Sequence, residues 1–450
     1  MIDLVIDEVR FSNGTVGAIA VDGGRIVETG EGPFPAARET VAGHGLTALA
    51  GVIDSHVHFN EPGRTEWEGV ETGSRAAAAG GVTLFADMPL NSDPPLLTPE
   101  AFHAKLTAYE GRASVDYAFW GGLTPQSLPH MDELAGLGVM GFKAFLCNSG
   151  IPEFAAADDA TLLRGMETAA RLGLPVGVHA ENDAITLALT EATRAAHSVA
   201  DARAFLASRP IVAEAEAVAR ALLLAEETGC RLHVVHASCA RAVELVLDAR
   251  LRGVDATVET CGHYLHFCDA DVARIGTAAK CAPPIRSVDE REALWRFLAG
   301  GEIDFVASDH SPAPPEMKLK SDFLSAWGGI NGVSFTLPIL LSGAATREMA
   351  LERAEEALSA AAAQRYGFAG KGRIAPGYDA DIVLVAMEQR YQPTAETLET
   401  RHRVCPYLGE TFTARVARTI LRGRTVWADG RVQSAPSGRF VRPATTGGPQ

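Results

Sequence analysis

Two hydrophobic patterns alternate along the middle of the chain. From about residue 50, short apolar runs rich in β-branched residues are each followed by a longer stretch with helical periodicity, which is typical of alternating strands and helices. Eight such runs predict strands: Gly51–His58, Val82–Met88, Val115–Trp120, Gly138–Leu146, Leu174–Ala180, Arg231–Ala237, Val254–Thr260 and Ile303–Asp309. Helices are predicted between them, including Glu68–Ala79, Ala160–Leu172, Glu214–Thr228 and Ala240–Leu251.

This alternation predicts the fold class, which is α/β. Eight β/α units within about 260 residues favour a closed (β/α)8 barrel of the TIM type. An open doubly wound sheet has the same local pattern, so counting alone leaves it as an alternative. Thr98 followed by Pro99 predicts a helix start, because threonine caps the first turn and proline fits its first position.

The two ends of the chain have a different pattern. Apolar pairs between Gly-rich turns predict short strands in the first fifty residues, and similar strands are predicted at Ala414–Leu421 and Arg424–Trp427. We therefore expect one small β-sandwich domain built from residues 1–50 and 371–450. The barrel domain would occupy residues 51–370.

Composition narrows the range of partners. The chain has 40 Lys and Arg against 56 Asp and Glu, a formal charge of −16, which disfavours nucleic acid and anionic membranes as partners. The acidic start does not resemble a signal peptide, and no apolar run reaches the roughly 18 residues of a membrane span. The seven cysteines are dispersed and form no C-x-x-C pair, which fits reduced thiols. We expect a cytoplasmic enzyme with a small-molecule substrate.

Polar side chains interrupt the apolar runs at the carboxyl ends of the predicted strands. His56 and His58 are two residues apart on the first strand and therefore share a face. Taken alone, this pair would fit buried structural histidines equally well. The other strand ends add Lys143, His179, His236 and Asp309. Because active sites of such barrels lie at this face, we expect the six side chains to converge.

The residue types favour a pair of metal ions. Four imidazoles and one carboxylate suit zinc or a similar ion, but they are too many for one tetrahedral site. Two ions about 3.5–4 Å apart would use them all, provided that an anionic group bridges the pair. A neutral lysine amine can take up CO2 to form a carbamate, which would make Lys143 such a bridge.

The ordered set of His-x-His, Lys, His, His and Asp resembles the amidohydrolase superfamily. The sequence GRIAPGYDAD at residues 372–381 also resembles that superfamily's return to its small β-domain, so the resemblance spans nearly the whole chain. Within the superfamily the chain is similar to the cyclic amidases, namely dihydropyrimidinase, hydantoinase, dihydroorotase and allantoinase.

Neighbouring motifs resemble the allantoinase branch of these cyclic amidases. They are FNEPGRTEWEG at residues 59–69, DMPLNS at 87–92 and LCNSG at 146–150. Dihydroorotases typically have arginine where Asn60 stands, and hydantoinases usually have a tyrosine shortly after the lysine motif. One departure is Gly262, where the family commonly has proline before the histidine. Glycine loosens that turn and leaves the placement of His263 less constrained.

The resemblance implies hydrolysis of allantoin to allantoate in purine catabolism. It implies that His56, His58 and Asp309 hold one ion, that His179 and His236 hold the second, and that carboxylated Lys143 bridges them. The ions would be zinc, with cobalt, manganese or iron as alternatives, and Asp309 would be the catalytic acid and base. Implied substrate contacts are Asn60, Arg64, Asn91, Ser149, His263, Ser287, Ser311 and Asn331.

Two other functions remain open from the sequence. A dihydropyrimidinase or hydantoinase would use the same site on other cyclic amides, and a dihydroorotase is a more distant alternative. A non-catalytic homologue on the same fold would be expected to lack metal ligands, whereas all six are present here. The resemblance also implies a homo-oligomer, specifically a tetramer.

Overall fold

The computed structural model of the protein describes residues 2–32, 34–196 and 198–444. The last six positions of the predicted terminal domain, 445–450, lie outside the described residues. None of the described helices is long and apolar enough to cross a membrane.

The strands and helices follow one another in the predicted alternation. The strands are β1 (Ile2–Arg10), β2 (Val16–Asp22), β3 (Arg25–Gly30), β4 (Ala37–Ala42), β5 (Thr47–Ala50), β6 (Val52–Val57), β7 (Val82–Asp87), β8 (Asp116–Phe119), β9 (Gly121–Gly122), β10 (Phe142–Phe145), β11 (Val176–His179), β12 (Leu232–Val234), β13 (Ala256–Cys261), β14 (Phe305–Ala307), β15 (Ile382–Ala386), β16 (Arg415–Leu421), β17 (Arg424–Ala428) and β18 (Arg431–Val432). The α-helices are α1 (Val70–Ala79), α2 (Pro99–Tyr109), α3 (Met131–Leu137), α4 (Asp159–Leu172), α5 (Asp183–Ala196), α6 (Ala202–Ser208), α7 (Ile211–Thr228), α8 (Ala240–Leu251), α9 (Gly262–His266), α10 (Asp269–Ile275), α11 (Val288–Gly300), α12 (Pro315–Lys318), α13 (Thr336–Thr346), α14 (Leu351–Glu355) and α15 (Ala361–Tyr366).

The central strands form a closed parallel barrel. Strands β6, β7 and β8 pair in that order, and β9 to β14 form a six-stranded run. The two runs are joined where Met140 N donates to Phe119 O at 2.9 Å. The ring closes on its other side, where His58 N donates to His310 O at 2.7 Å and Val57 bridges His310. The predicted (β/α)8 barrel is confirmed, and the open doubly wound sheet is excluded.

The predicted elements occur at their expected places, with shifted ends. All eight predicted barrel strands are present, and the Thr98 side chain caps α2 by accepting from Ala101 N at 3.3 Å. The strand predicted over 138–146 begins only at Phe142. Gly138 ends helix α3 in the left-handed region (φ 103), so it cannot be extended strand.

Strands from both ends of the chain share one sheet. The sheet has nine strands among the described residues, in the order β18-β17-β16-β15-β5-β1-β2-β3, with β4 also paired to β1. Strand β15 runs antiparallel to β5, with Val383 opposite Leu49. This pairing agrees with the predicted terminal β-structure, while the division at residues 50 and 371 stays a prediction.

A buried ionic group connects this sheet to the barrel. The Lys371 ammonium lies 2.7 Å from a carboxylate oxygen of Asp116 on β8, 2.7 Å from Asp381 and 3.0 Å from Asp379. Arg422 also pairs with Asp116. Burial alone would lower the pKa of Lys371, but Asp381 and Asp116 outweigh burial and raise that pKa above its ordinary value. We call these five residues the junction cluster.

Candidate metal centre

Six polar side chains predicted from the sequence gather at the carboxyl ends of the barrel strands. All of them are buried. His56 lies on β6 and Lys143 on β10, and His179 ends β11, whereas His58, His236 and Asp309 lie in the first residues after their strands. The parallel strands bring these six positions to the same face of the barrel, as the sequence predicted.

The imidazoles and the carboxylate are in mutual contact. His56 Nε2 lies 3.1 Å and His58 Nε2 3.5 Å from Asp309 Oδ1. His179 Nδ1 lies 3.0 Å from His236 Nε2. The His56 ring centroid is 5.4 Å from that of His236, which links the two groups into one cluster.

Two members of the cluster have an unusual backbone conformation. His236 and Asp309 adopt φ of 41 and 45, in the left-handed region that few non-glycine residues occupy. Such a conformation costs about 1–3 kcal/mol and persists only where the surrounding structure enforces it. Each residue turns the chain sharply at the end of a strand, where strain of this kind is common in functional sites.

The Lys143 side chain is buried without a partner. Its Nζ atom has no hydrogen-bond partner among the described residues and lies 5.0 Å from the centroid of the Phe145 ring. Burial lowers the pKa of Lys143 to about 8 despite the nearby carboxylates of Asp309 and Glu259. An amine in this environment is partly neutral near physiological pH, which is the form that reacts with CO2.

Glu259 fixes the orientation of the first imidazole. Its Oε1 lies 2.8 Å from His56 Nδ1, so Nδ1 carries a proton and Nε2 is the nitrogen left to bind an ion. The other oxygen accepts from Ser55 Oγ at 3.0 Å and lies 3.1 Å from His233 Nε2. His233 is therefore a buried structural residue.

Glu181 has a similar role beside the third imidazole. Its Oε2 lies 2.9 Å from His179 Nε2 and accepts from Arg209 Nη1 at 2.5 Å. Sequence reasoning missed both carboxylates and the arginine. Two signals were available, since Glu259 interrupts an apolar strand and Glu181 shares the strand face of His179 two residues earlier.

Burial and neighbouring charges set the protonation of the cluster. Burial opposes charge on His56, but Asp309 and Glu259 raise its pKa above the ordinary value. Burial, together with the charges of His179 and Lys143, places the pKa of His236 well below that value. Burial would raise the pKa of Asp309, yet His56 and His58 hold it well below its usual range.

A cavity of about 650 Å³ opens over the cluster. Eight of the predicted site residues line it: His56, His58, Asn91, Ser149, His179, His236, Asp309 and Ser311. Lys143 does not line the cavity and is fully buried.

Five predicted substrate contacts do not line this cavity: Asn60, Arg64, His263, Ser287 and Asn331. Arg64 donates to Asn91 O at 3.0 Å and pairs with Glu153 at 3.2 Å, which leaves it supporting a loop. The Asn331 amide donates to Thr400 Oγ1 at 2.8 Å, and Thr400 lies 69 residues later in the chain. His263 is buried, and neither ring nitrogen has a partner among the described residues.

The cluster fits a pair of divalent ions. The ligand atoms of His56, His58 and Asp309 all lie within 4.8 Å of one another, close enough for one ion to bind all three. Lys143 Nζ is a buried polar atom without a hydrogen bond among the described residues. Leaving such an atom unsatisfied costs about 1–3 kcal/mol, a cost that an anionic lysine adduct bound to the ions would remove.

Comparison with known proteins is consistent with this geometry. The allantoinase of Rubrobacter xylanophilus is 54% identical over 97% of this chain and 94% of its own length. The allantoinase of Deinococcus radiodurans is 50% identical, over 94% of each chain. Among solved structures, L-hydantoinase (dihydropyrimidinase) from Arthrobacter aurescens has a TM-score of 0.95 and 33% identity, covering 98% of this chain and all of that one.

The sequence also matches a family model across its barrel and part of its terminal sheet. The match extends over residues 47–426, which include every predicted metal ligand. The chain belongs to the amidohydrolase family.

Proposed function

We propose that this protein hydrolyses the five-membered ring of allantoin to give allantoate. The observation that carries the proposal is the convergence of His56, His58, His179, His236 and Asp309 around the unpartnered amine of Lys143. The substrate is supported by relatives named allantoinase that match nearly the full chain at 54% and 50% identity.

The contacts in the cluster support the ligand assignment that the resemblance to the family implies. His56, His58 and Asp309 would hold one ion, and His179 and His236 the other, with Lys143 as a carboxylated bridge between them. Zinc suits this set of nitrogen and oxygen donors, and cobalt, manganese or iron would also fit. When bound, the two ions would supply Lewis acidity and a water nucleophile that ionises near neutral pH.

Asp309 transfers the proton in this scheme. Its Oδ1 atom contacts His56 and His58, so we assign the proton to the second oxygen, Oδ2. This oxygen takes a proton from the attacking water as the new C–O bond forms at the ring carbonyl. It returns the proton to the ring nitrogen as the C–N bond breaks, which balances the hydrolysis without an external acid.

Glu259 and Glu181 keep the imidazoles in place during this chemistry. Each carboxylate holds one ring nitrogen of a predicted ligand, at 2.8 Å for His56 and 2.9 Å for His179. Arg209 balances the charge of Glu181. The ligand rings therefore need little rearrangement on ion binding.

The proposal includes carboxylation of Lys143. Its support is the buried Nζ atom without a partner, in a cluster of four imidazoles and the single carboxylate of Asp309. The neutral amine would attack CO2 and lose one proton, which gives a carbamate anion able to bind two ions. Mass spectrometry under non-denaturing conditions, or a crystal structure of the metal-loaded protein, would detect the added carboxyl group.

A hydantoinase or dihydropyrimidinase is the second candidate function. The observation in its favour is the structural similarity to the A. aurescens L-hydantoinase, at a TM-score of 0.95. Both candidates use the same metal centre, and they differ only in what the rest of the cavity accepts.

The deciding experiment is a hydrolysis panel on metal-loaded enzyme. Allantoin, hydantoin, dihydrouracil and dihydroorotate are compared by kcat/KM, with metal content counted on the same sample. We expect about two ions per chain and a preference for allantoin of at least about 100-fold, the scale that buried polar recognition provides. A flat profile or a preference for hydantoin would replace the proposed substrate, and activity without metal would overturn the mechanism.

Two further proposals concern the setting of the enzyme. We propose a cytoplasmic location, supported by seven free cysteines in the structure. We propose a homotetramer on resemblance to the cyclic amidases, and light scattering would measure its mass.

A further inference from the structure

One wall of the cavity is formed by an irregular segment that follows Asp309. We call residues 317–329 the strap. Leu324, Ala326 and Trp327 of the strap line the cavity. Apart from the end of α12, the strap contains no regular helix or strand in the structure. Its position therefore depends on contacts that its backbone makes with a strap side chain and with other parts of the protein.

Two buried lysines supply those contacts. Lys318 Nζ donates to Lys280 O at 2.7 Å, to Trp327 O at 3.1 Å and to Gly329 O. Lys280 Nζ donates to Ala326 O at 2.5 Å and to Leu324 O at 3.4 Å. Four carbonyls within six residues of the strap thus accept from two ammonium groups.

Backbone hydrogen bonds in the same region also hold the strap. Gly329 N donates back to Lys280 O, and Trp327 N donates to Met317 O, both at 2.9 Å. Lys280 also lies over the Phe205 ring, 4.9 Å from its centroid.

The side chain held in this way is Trp327. Its ring packs edge-on against Trp67 with centroids 4.8 Å apart, and it faces Gly150 of the loop after β10. The indole N–H is buried and has no acceptor among the described residues. The ring itself lines the cavity, so its size limits the space that a bound ligand can fill.

We propose that Lys280 and Lys318 are positioning residues that hold Trp327 in the cavity wall, and that Trp327 selects the substituent on the substrate ring. The selection rests on the proposed function, because allantoin carries a ureido group that would pack against the Trp327 ring. Hydantoin has the same ring without this group. The positioning part is independent of the substrate.

The positioning part is tested by hydrogen exchange of the metal-loaded enzyme. In Lys318→Met we expect the amides of Trp327 and Gly329 to exchange at least about tenfold faster, because the carbonyl contacts of the strap are lost. Lys371→Met is the matched control, since Lys371 is equally buried but bonds to carboxylates in the junction cluster. Unchanged exchange in the strap, or an increase no larger than in the control, would overturn the positioning role.

Steady-state kinetics test whether Trp327 selects the substituent on the substrate ring. Trp327→Ala removes the aromatic wall, so KM for allantoin should rise about tenfold while kcat changes little and hydantoin is unaffected. Lys318→Met should raise KM for allantoin in the same way, and Lys280→Met provides a second test if Lys318→Met does not fold. Equal effects on allantoin and hydantoin would overturn the selection. If the wild type prefers hydantoin, the proposed function fails, while the exchange result still decides the positioning role.

Discussion

Two buried lysines of this protein have opposite environments. Lys371 in the junction cluster lies within 3.0 Å of three carboxylates, and its pKa is raised. Lys143 in the metal centre has no hydrogen-bond partner among the described residues, and burial lowers its pKa to about 8. A lysine with complete partners holds the fold together, whereas a lysine left without partners is available for chemistry. The following predictions test this contrast.

Replacing Lys143 should produce the largest effect. In Lys143→Ala the proposed bridging group is lost, so we expect bound metal to fall and kcat/KM to drop by at least about 10³-fold, corresponding to several kcal/mol of lost charge stabilisation. Metal analysis and kinetics on the same sample measure both losses.

A small carboxylate should partly restore the Lys143→Ala variant, because acetate or formate can take the place of the bridge. Lys143→Arg is the control, since it keeps a cation that cannot form a carbamate. Full metal content and activity in either variant would show that Lys143 is a structural lysine like Lys371.

Replacing Asp309 separates proton transfer from metal binding. Asp309→Asn keeps an oxygen near His56 and His58 but cannot carry the proton, so kcat should fall by about 10²–10⁴-fold. Metal content should fall less than activity does. A variant that loses metal and activity in equal proportion would assign Asp309 to metal binding alone.

Lys371→Met should affect stability instead of chemistry. Removing one partner of a buried ion pair leaves its carboxylates unpaired, which costs about 3–5 kcal/mol in the free energy of unfolding. Folded enzyme should keep its metal and its kcat. Denaturant titration measures the lost stability. A reduced kcat per bound metal would mean that Lys371, like Lys143, affects the chemistry.

The pH dependence of that loss follows from the raised pKa of Lys371. A raised pKa means that the folded state binds the proton more tightly than the unfolded state does, so the stabilisation is complete below about pH 10.4, the ordinary lysine value, and is lost only above it. The difference between wild type and Lys371→Met should therefore not shrink from pH 6 to pH 9. A difference that disappears by pH 9 would contradict the raised pKa.

Among the substitutions of Lys143, Asp309, Lys371 and Glu259, Glu259→Gln should have the smallest effect. The amide can still contact His56 Nδ1, but it lacks the charge that favours the required tautomer, so metal affinity should fall about 10–100-fold. Competition with a chelator measures the affinity directly. Affinity equal to wild type would assign Glu259 to packing around Ser55 and His233 only.

The sequence predicted the barrel and its six polar strand ends because both depend on local pattern. The alternation of apolar runs defined the strands, and parallel strands necessarily place His56, His179 and Asp309 at one face. The partners of these residues could not be predicted in the same way. Glu259 meets His56 across 203 residues of chain, and such a contact depends on strand register, which no local pattern specifies.

The substrate contacts show the same limit. Asn91, Ser149 and Ser311 line the cavity, whereas Arg64 and Asn331 bond elsewhere because loop conformation decides where their side chains lie. The Lys280–Lys318 arrangement was not anticipated at all. Its acceptors are backbone carbonyls, and every residue has one, so the amino-acid sequence does not show which carbonyls accept.

The pairing of β5 with β15 has a consequence for synthesis on the ribosome. Leu49 lies opposite Val383, so about 330 residues separate the two strands in the chain. At about 5–20 residues per second, β5 waits roughly 15–70 s before its antiparallel partner has been translated. During this time the whole barrel emerges while one edge of the N-terminal strands stays open. The sheet is therefore the last part of the protein that can be completed, and a ribosome stalled within the barrel would leave that edge exposed to other nascent chains.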